Sequence, residues 1–334
     1  MGQFMTVLVT GGAGYIGSHM AWELLDHGET VLVVDNLSTG FDWLIPGQAQ
    51  LIIGDIGDAD LLDRLFEDGS IDAVIHFAGS IIVPESVSDP LKYYRNNTCK
   101  AHVLISACVR HGIENFIFSS TAAVYGNPQA VPVPEDAPLA PISPYGTSKL
   151  MTEQILRDVA AAHDLRYAAL RYFNVAGGDP AGRTGQSTAN ATHLIKVACE
   201  AALGKRDELV VFGTDYATAD GTGIRDYIHV SDLVAAHRLA LDHLRASGES
   251  AVLNCGYGHG ASVLQVVDAV KRVAGVDFIV RQADRRPGDA AEIVAKADMA
   301  RSVLGWQPHL DDLDTIVRHA LDWERHLSTR NLGP

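Results

Sequence analysis

The chain has 334 residues, of which 47% are hydrophobic and 20% are charged, so it can bury a core in one large or two modest domains. Its formal net charge of −15 argues against general binding to nucleic acid or to an anionic membrane surface. The N-terminus shows no charged segment followed by an apolar one, and no apolar run approaches the ~20 residues of a membrane span. We therefore predict a cytoplasmic protein without a nucleic-acid or membrane partner.

Short β-branched runs alternate with helical patterns through the first half of the chain. The runs that predict strands are residues 6–9, 30–34, 51–53, 73–77, 116–119 and 168–171. Several of them are apolar throughout, which is typical of strands buried on both faces of a parallel sheet. The alternation predicts an α/β fold built on a doubly wound, Rossmann-type parallel sheet.

A glycine-rich turn joins the first strand to the first helix. Gly11 permits the tight turn, Gly14 lets the backbone approach a pyrophosphate, and Gly17 allows close packing of the helix on the strand. The helix begins near Tyr15 and Ile16, where free N–H groups and the helix dipole favour phosphates. The turn predicts a dinucleotide site, although glycines at this spacing also occur in purely structural turns.

Asp35 closes the second strand, 18 residues after Gly17, and gives the glycine turn its context. Its carboxylate can accept hydrogen bonds from an adenosine ribose diol and would repel a 2′-phosphate. We therefore predict NAD rather than NADP as the cofactor, with the neighbouring Asn36 among its contacts.

Tyr145 and Lys149 are four residues apart, so a helix presents both on one face. Ser143 is the predicted N-cap of that helix, and Pro144 suits its first position. A free tyrosine has a pKa near ~10, and an ammonium close to its oxygen lowers that pKa. Thr121 lies 24 residues before Tyr145 and offers a hydroxyl to the same substrate oxygen. This triad suits removal of a proton from an alcohol while a hydride leaves the same carbon.

The pattern changes after about residue 177. Residues 177–191 are rich in Gly, Asp, Thr and Ser, which indicates a loop between domains, and short strands at 209–212, 251–254 and 278–281 alternate with helices. We predict a cofactor domain at residues 1–176 and a smaller mixed α/β substrate domain at 177–334. Residues 226–247 are expected to pack back onto the first domain.

The cysteines and histidines show no metal-binding pattern. Cys99, Cys108, Cys199 and Cys255 are scattered without CxxC spacing, and the fourteen histidines form no HExxH motif. We predict reduced thiols and no metal.

Several motifs resemble the extended short-chain dehydrogenase/reductase family. They are the glycine spacing at 11, 14 and 17, Gly54-Asp55-Ile56, His76-Phe77-Ala78-Gly79 and Tyr145-x-x-x-Lys149. The resemblance implies that Asp55 and Ile56 lie near the adenine and that Lys149 also binds the nicotinamide ribose. The other NAD contacts that it implies are Phe77, Ala78, Gly79, Asn96, Tyr145, Tyr172 and Phe173.

Longer motifs are similar, within that family, to the epimerases that act at C4 of UDP-hexoses. These are residues 171–177, 202–207, 212–216, 221–230 and 285–289, and the similarity extends over nearly the whole chain. It implies that Arg225 and Arg286 clamp a diphosphate with forked hydrogen bonds. The further substrate contacts that it implies are Phe212 against the uracil, Asp289 at a ribose hydroxyl, and Asn174, His193 and Leu194 near the nucleotide or sugar, beside Thr121 and Tyr145.

The resemblance implies NAD-dependent interconversion of UDP-galactose and UDP-glucose. Tyr145 takes the proton of the sugar 4-hydroxyl during oxidation at C4, the 4-keto sugar rotates, and the hydride returns to its other face. The family also implies a homodimer, for which the helix carrying Leu104, Ile105 and Cys108 is a candidate interface, although these residues equally suit a core.

Three alternatives remain open in the sequence. Ile293 stands where the family has a gate beside the sugar, and its small side chain leaves UDP-N-acetylhexosamines or UDP-pentoses as substrates. A 4,6-dehydratase would need Asp-Glu after the hydroxyl residue, but Ala122 and Ala123 stand there. A non-catalytic NAD sensor would not need the catalytic tyrosine and lysine that this chain keeps.

Overall fold

The computed structural model describes residues 6–67, 69–189, 191–286 and 289–330. The strands are β1 Thr6–Thr10, β2 Thr30–Asp35, β3 Gln50–Ile53, β4 Ile71–His76, β5 Asn115–Thr121, β6 Arg166–Tyr172, β7 Asn174–Ala176, β8 Glu208–Phe212, β9 Ile224–Arg225, β10 Tyr227–His229, β11 Ala251–Cys255, β12 Ala261–Ser262, β13 Ile279–Ala283 and β14 Glu292–Ile293.

The helices alternate with these strands along the chain. They are α1 Tyr15–Asp26, α2 Ala59–Phe66, α3 Val83–Ser88, α4 Pro90–Tyr93, α5 Lys100–His111, α6 Pro144–Ala162, α7 Leu194–Ala202, α8 Val230–Ser247, α9 Val263–Ala274, α10 Asp298–Leu304 and α11 Leu313–Arg330. A π-helical segment, Tyr94–Cys99, continues α4 into α5. Among the helices in the described ranges, none has the length and apolar character that crossing a membrane requires.

Seven parallel strands form the main sheet in the order β11-β6-β5-β4-β1-β2-β3. Consecutive residues point to opposite faces, so Val7 and Val9 enter one core cluster while Leu8 enters the other. Helices cover both faces, which explains why the strands are apolar throughout. The predicted Rossmann-type α/β fold is confirmed, and the nine predicted strands are present with ends that move by at most two residues.

The strand at Ala251–Cys255 belongs to the main sheet. The sequence assigns it to the second domain, but β11 pairs in parallel with β6 at the edge of the main sheet, Ala251 opposite Ala168. Its Leu253 and Cys255 are fully buried, so this strand gains more from the main sheet than from a small exposed one. Helix α8 leads into β11 and packs on α1, β5 and β6, as expected for residues 226–247.

The first unit is therefore assembled from two segments of the chain. For the remaining elements, the division into domains after residue 176 stays a prediction. Residues 1–5 of the first predicted domain and 331–334 of the second lie outside the described ranges. Three small sheets stand beside the main one: β7 with β10, β8 with β13, and β12-β9-β14. Because β7 follows β6 directly, the β7–β10 sheet lies just beyond the carboxyl end of β6, at the edge of the main sheet where ligands of such folds bind.

The predicted start of α6 is confirmed in atomic detail. The Ser143 hydroxyl oxygen accepts a hydrogen bond from the Gly146 N–H at 3.2 Å, and Pro144 occupies the first helical position. This cap fixes where the helix begins, and so it sets which residues face the sheet one turn later. Those residues are Tyr145, Lys149 and Glu153, all buried.

Candidate active site

The glycine turn is shaped by close backbone contacts. Gly11 has a φ of 72°, and a Cβ on it would lie 2.6 Å from the Ala78 backbone nitrogen. A Cβ on Gly17 would lie 2.2 Å from the Gly11 carbonyl oxygen, so α1 packs against the turn only because residue 17 is glycine. At Gly14 a Cβ would meet that same oxygen at 3.2 Å and no other described atom within 4 Å, so one face of its backbone is open.

The open backbone leads directly into an uncapped helix. The N-cap residue Gly14 makes no side-chain cap hydrogen bond, so the N–H groups of the first turn of α1 are available to an anion. Asp35 accepts hydrogen bonds from the N–H groups of Ala13 and Leu37 at 2.9 and 2.8 Å, one on each carboxylate oxygen. Each oxygen keeps further acceptor capacity, so the turn, the helix end and Asp35 together fit the pyrophosphate and ribose of a dinucleotide.

Strand β5 and helix α6 hold the catalytic candidates against each other. Lys149 donates a hydrogen bond from Nζ to the Ser119 carbonyl oxygen at 2.9 Å, and its ammonium lies 4.9 Å from the centre of the Phe118 ring. The Thr121 hydroxyl hydrogen bonds with Tyr145 and also accepts the Ala123 N–H at 3.2 Å. The structure thus brings Thr121, Tyr145 and Lys149 together at the carboxyl end of β5.

Burial shifts the titration of both catalytic candidates. It raises the pKa of Tyr145 above its ordinary value, and the hydrogen bond with Thr121 opposes that rise. It lowers the pKa of Lys149 to about 8, which the nearby Glu153 carboxylate opposes. The net direction of the pKa shift at Tyr145 is therefore opposite to the lowering that the four-residue spacing alone predicts, because desolvation of the phenol outweighs the other effects.

The segment after β4 connects the glycine turn to this pair. Ala78 packs against Gly11, and a Cβ on Gly79 would lie 3.7 Å from the Lys149 ammonium. Asn97 is buried and anchors the segment, since its Oδ1 accepts the Ser80 N–H at 2.7 Å. Its neighbour Asn96, the predicted contact, donates to the Ser80 hydroxyl at 3.0 Å.

The predicted adenine contacts lie further along the same edge. Asp55 forms an ion pair with Lys100 at 2.5 Å and receives a longer hydrogen bond of 3.4 Å from Asn36, while Ile56 is buried in the core. Phe77 packs against the buried His237 with ring centres 4.9 Å apart. Tyr172 hydrogen bonds to Ser119 at 2.5 Å, and the nearly buried Phe173 follows it.

On the other side, a small cavity gathers three of the predicted substrate contacts. Asn174, His193 and Leu194 line it together with Tyr227 and Lys196. His193 shares a hydrogen bond of 2.8 Å with Gln186, and burial lowers its pKa, so it acts here as a neutral hydrogen-bonding group.

The remaining predicted contacts form two pairs beyond this cavity. The Arg286 guanidinium lies 3.9 Å from the centre of the Phe212 ring, so this arginine covers the face expected to meet a base. Arg225 donates to the Ile224 carbonyl at 2.8 Å and lies 3.9 Å from Asp289, while Ile293 is its partner across the β9–β14 ladder. Pro287 and Gly288 of the predicted 285–289 motif lie outside the described residues.

The structure places three side chains of the predicted interface helix in the core and adds residues that the motifs missed. Leu104, Ile105 and Cys108 are fully buried in the core, so they contact their own chain. Glu153, one helical turn after Lys149 on α6, forms a buried ion pair of 2.6 Å with Arg171. Position 153 continues the four-residue spacing of Tyr145 and Lys149, and that spacing could have found it.

Comparisons with known proteins agree with this geometry. The family model described as NAD dependent epimerase/dehydratase family matches residues 7–256. A UDP-glucose 4-epimerase of Azospirillum brasilense is 62% identical over 321 residues, covering 96% of this chain and 92% of that protein. The crystal structure of UDP-glucose 4-epimerase from Brucella ovis in complex with NAD superposes with a TM-score of 0.93 at 45% identity, over 95% of this chain and 98% of that one. The UDP-Glc/GlcNAc 4-epimerase of Campylobacter jejuni gives a TM-score of 0.85 at 48% identity, over 96% and 99%.

Proposed function

We propose, since this chain belongs to the NAD dependent epimerase/dehydratase family, that it is an enzyme that interconverts UDP-galactose and UDP-glucose. The observation that carries the proposal is that Thr121, Tyr145 and Lys149 lie together at the carboxyl end of β5. The glycine turn is close to them, because Gly11 packs against the backbone of Ala78 and the next residue, Gly79, lies beside the Lys149 ammonium. A proton-abstracting tyrosine beside a dinucleotide site is what reversible oxidation of a secondary alcohol requires.

The residues that would hold NAD are those that fit a dinucleotide. Gly14 and the first turn of α1 receive the pyrophosphate, and Asp35 receives the adenosine ribose. When bound, NAD supplies a hydride acceptor for the sugar C4 and then returns the hydride, so it is regenerated in each turnover.

The protein's own groups manage the proton at the sugar 4-hydroxyl. Tyr145 accepts this proton as a phenolate and later returns it, while Thr121 holds the same oxygen through its hydroxyl. Lys149 contributes a positive charge near the phenolate and is kept in place by the Ser119 carbonyl. The 4-keto sugar that forms must rotate within the pocket, so the contacts of the sugar must be weaker than those of the UDP group.

The UDP group is held by the residues on and beyond the small sheets. Arg225 and Arg286 bind the diphosphate through their forked guanidinium groups, and Phe212 and Asp289 bind the uridine. Asn174, His193 and Leu194 complete the site around the cavity. Arg286 and Phe212 lie 3.9 Å apart, which places the proposed diphosphate contact beside the proposed uracil contact.

Arg286→Met is expected to weaken UDP binding by roughly 30-fold or more, because one charge-assisted contact to the diphosphate is lost. Calorimetric titration of UDP measures this directly. Arg285→Met is the matched control: the neighbouring Arg285 pairs with Asp215 at 2.6 Å and stacks on Tyr216 at 4.1 Å. Equal losses in the two variants would contradict the assignment of Arg286 to the diphosphate.

The activity itself is tested by incubating the purified protein with UDP-galactose and no added cofactor, with products read by NMR. We expect UDP-glucose to form without accumulation of NADH, which would also show retained NAD. Release of water to a 4-keto-6-deoxy sugar would instead establish a dehydratase. No change, even with added NAD, would contradict the proposed activity on UDP-hexoses.

A second substrate class is favoured by one observation. Ile293, at the position that the resemblance assigns to a gate beside the sugar, lies opposite the proposed diphosphate contact Arg225 in the β9–β14 ladder, and isoleucine is small for such a gate. We propose UDP-N-acetylhexosamines as further substrates, with UDP-GlcNAc and UDP-GalNAc as the compounds to assay. A cytoplasmic, homodimeric protein serving galactose metabolism completes the proposal, and sedimentation velocity tests the dimer.

A further inference from the structure

Three consecutive residues of β5 each bind a different turn of α6. The Ser119 carbonyl accepts from Lys149, the Thr121 hydroxyl bonds with Tyr145, and the Ser120 hydroxyl donates to Glu153. Tyr145, Lys149 and Glu153 follow one another at four-residue intervals, so they form one row on the buried face of the helix. The proposed reaction uses the first two members of this row and leaves the third without a role.

Glu153 is a buried carboxylate held by Arg171 and Ser120. Its side chain is only 6% exposed. Arg171 donates to it from Nη2 at 2.6 Å and from Nε at 3.0 Å, in the forked geometry of a strong ion pair. Arg171 is itself fixed by Tyr125 and by the Glu135 carbonyl, each at 3.0 Å from Nη1. The carboxylate therefore has a defined position one helical turn beyond Lys149.

Lys149 needs a compensating charge in that position. Its ammonium is buried, and burial favours loss of the proton, which the Glu153 carboxylate opposes. The other titratable groups around it supply no such charge: Tyr145 and Tyr172 are phenols whose pKa burial raises, and His76 on β4 has a pKa lowered to about 3. Arg171 on β6 is a cation bound to Glu153.

We propose that Glu153 is a positioning residue for the site: its carboxylate, fixed by Arg171 and Ser120, keeps Lys149 charged and seated on the Ser119 carbonyl. The expected effect of Glu153 on turnover rests on the proposed function, whereas its effect on the protonation of Lys149 does not. We assign Glu153 no contact with substrate or cofactor, because it acts only through the lysine.

The test is the titration of Lys149, followed by the ¹³Cε NMR shift in protein labelled at lysine, with Lys149→Met used to assign the signal. In Glu153→Gln we expect the pKa of Lys149 to fall by about one pH unit, because the carboxylate's field is lost. Glu153→Asp keeps the charge and is expected to recover most of the shift. Turnover of UDP-galactose should also fall more at pH 8.5 than at pH 6.5 in Glu153→Gln.

A second variant separates the effect of losing the carboxylate from the effect of leaving the buried Arg171 without its partner. Glu153→Gln/Arg171→Met removes both charges, and replacing a whole buried pair by neutral groups is often tolerated when breaking it is not. We expect a downward shift of Lys149 that is smaller than in Glu153→Gln, because loss of the Arg171 cation favours the charged lysine, and this variant also serves if the single variant fails to fold. Glu324→Gln is the matched control, since Glu324 is equally buried but bound to Lys196 on α7 and to Lys205 in the bend that follows α7.

The outcomes are distinct from those that test the activity. An unmoved Lys149 titration in folded Glu153→Gln or in the double variant would overturn the proposal, and so would an equal shift in Glu324→Gln. Because the NMR measurement needs no substrate, a failure of the wild-type protein to convert UDP-sugars would contradict the proposed function and leave this result standing.

Discussion

Tyr145→Phe is expected to lower turnover of UDP-galactose by roughly 1,000-fold at neutral pH while the protein still binds NAD. The variant keeps the buried ring and removes only the oxygen that bonds with Thr121 and that we propose as the acceptor of the sugar proton. Positioned acid–base groups contribute about 100- to 10,000-fold to such reactions, so the loss falls within the range of this single function. Initial rates with UDP-galactose and calorimetric titration with NAD measure the two quantities separately.

Tyr93→Phe provides the matched control for that experiment. Tyr93 is fully buried and packs edge-on against Tyr145 with ring centres 6.4 Å apart, but its hydroxyl bonds to Ile82 and Glu85 instead. Its loss is expected to lower thermal stability and to leave most of the turnover. Full activity in Tyr145→Phe would refute the assigned base, and equal losses in both variants would indicate a packing defect.

Lys149→Met is expected to lower turnover at pH 7 by about 100-fold and to change the shape of the pH profile. Burial raises the pKa of Tyr145, so without the neighbouring ammonium the phenolate becomes scarcer at any given pH. In the wild-type protein the rate should rise with pH as Tyr145 loses its proton, and stop rising near pH 8, where Lys149 begins to lose its own. In the variant the rate should continue to rise tenfold per pH unit beyond pH 8.

The pH profile separates this electrostatic role from loss of structure. Lys92→Met removes an exposed ammonium that pairs with Glu85 at 2.5 Å, and it should keep the wild-type profile. A uniformly lower rate in Lys149→Met, with the bend near pH 8 intact, would show that another group titrates there.

Much of the fold and of the catalytic row could be predicted because their signals are local. The glycines at 11, 14 and 17 lie within one turn and one helix start, and the four-residue spacing of Tyr145 and Lys149 is a property of a single helix. Such patterns are complete within about ten residues of chain, so no knowledge of distant contacts is needed.

The misplaced features depend on distant contacts. Ala251 pairs with Ala168 across the sheet, and nothing in an apolar strand states which sheet it joins. The apolar stripe with Leu104 and Cys108 suits an interface and a core equally, and packing against α2 and the sheet decides for the core. Arg171 interrupts an apolar strand, and its partner Glu153 is 18 residues away, so the pair is visible only once β6 and α6 are in contact.

The bonding of Ser119, Ser120 and Thr121 to three successive turns of α6 also limits how this sequence can drift. Each of the six side chains or carbonyls has its partner in the other element, so substitutions within the set are expected to couple by about 0.5–3 kcal/mol instead of adding. A change tolerated on the helix in one background would be damaging in another that has altered the strand. Substitutions in β5 and in α6 are therefore expected to be epistatic, so that a change in one element is tolerated only with a compensating replacement in the other.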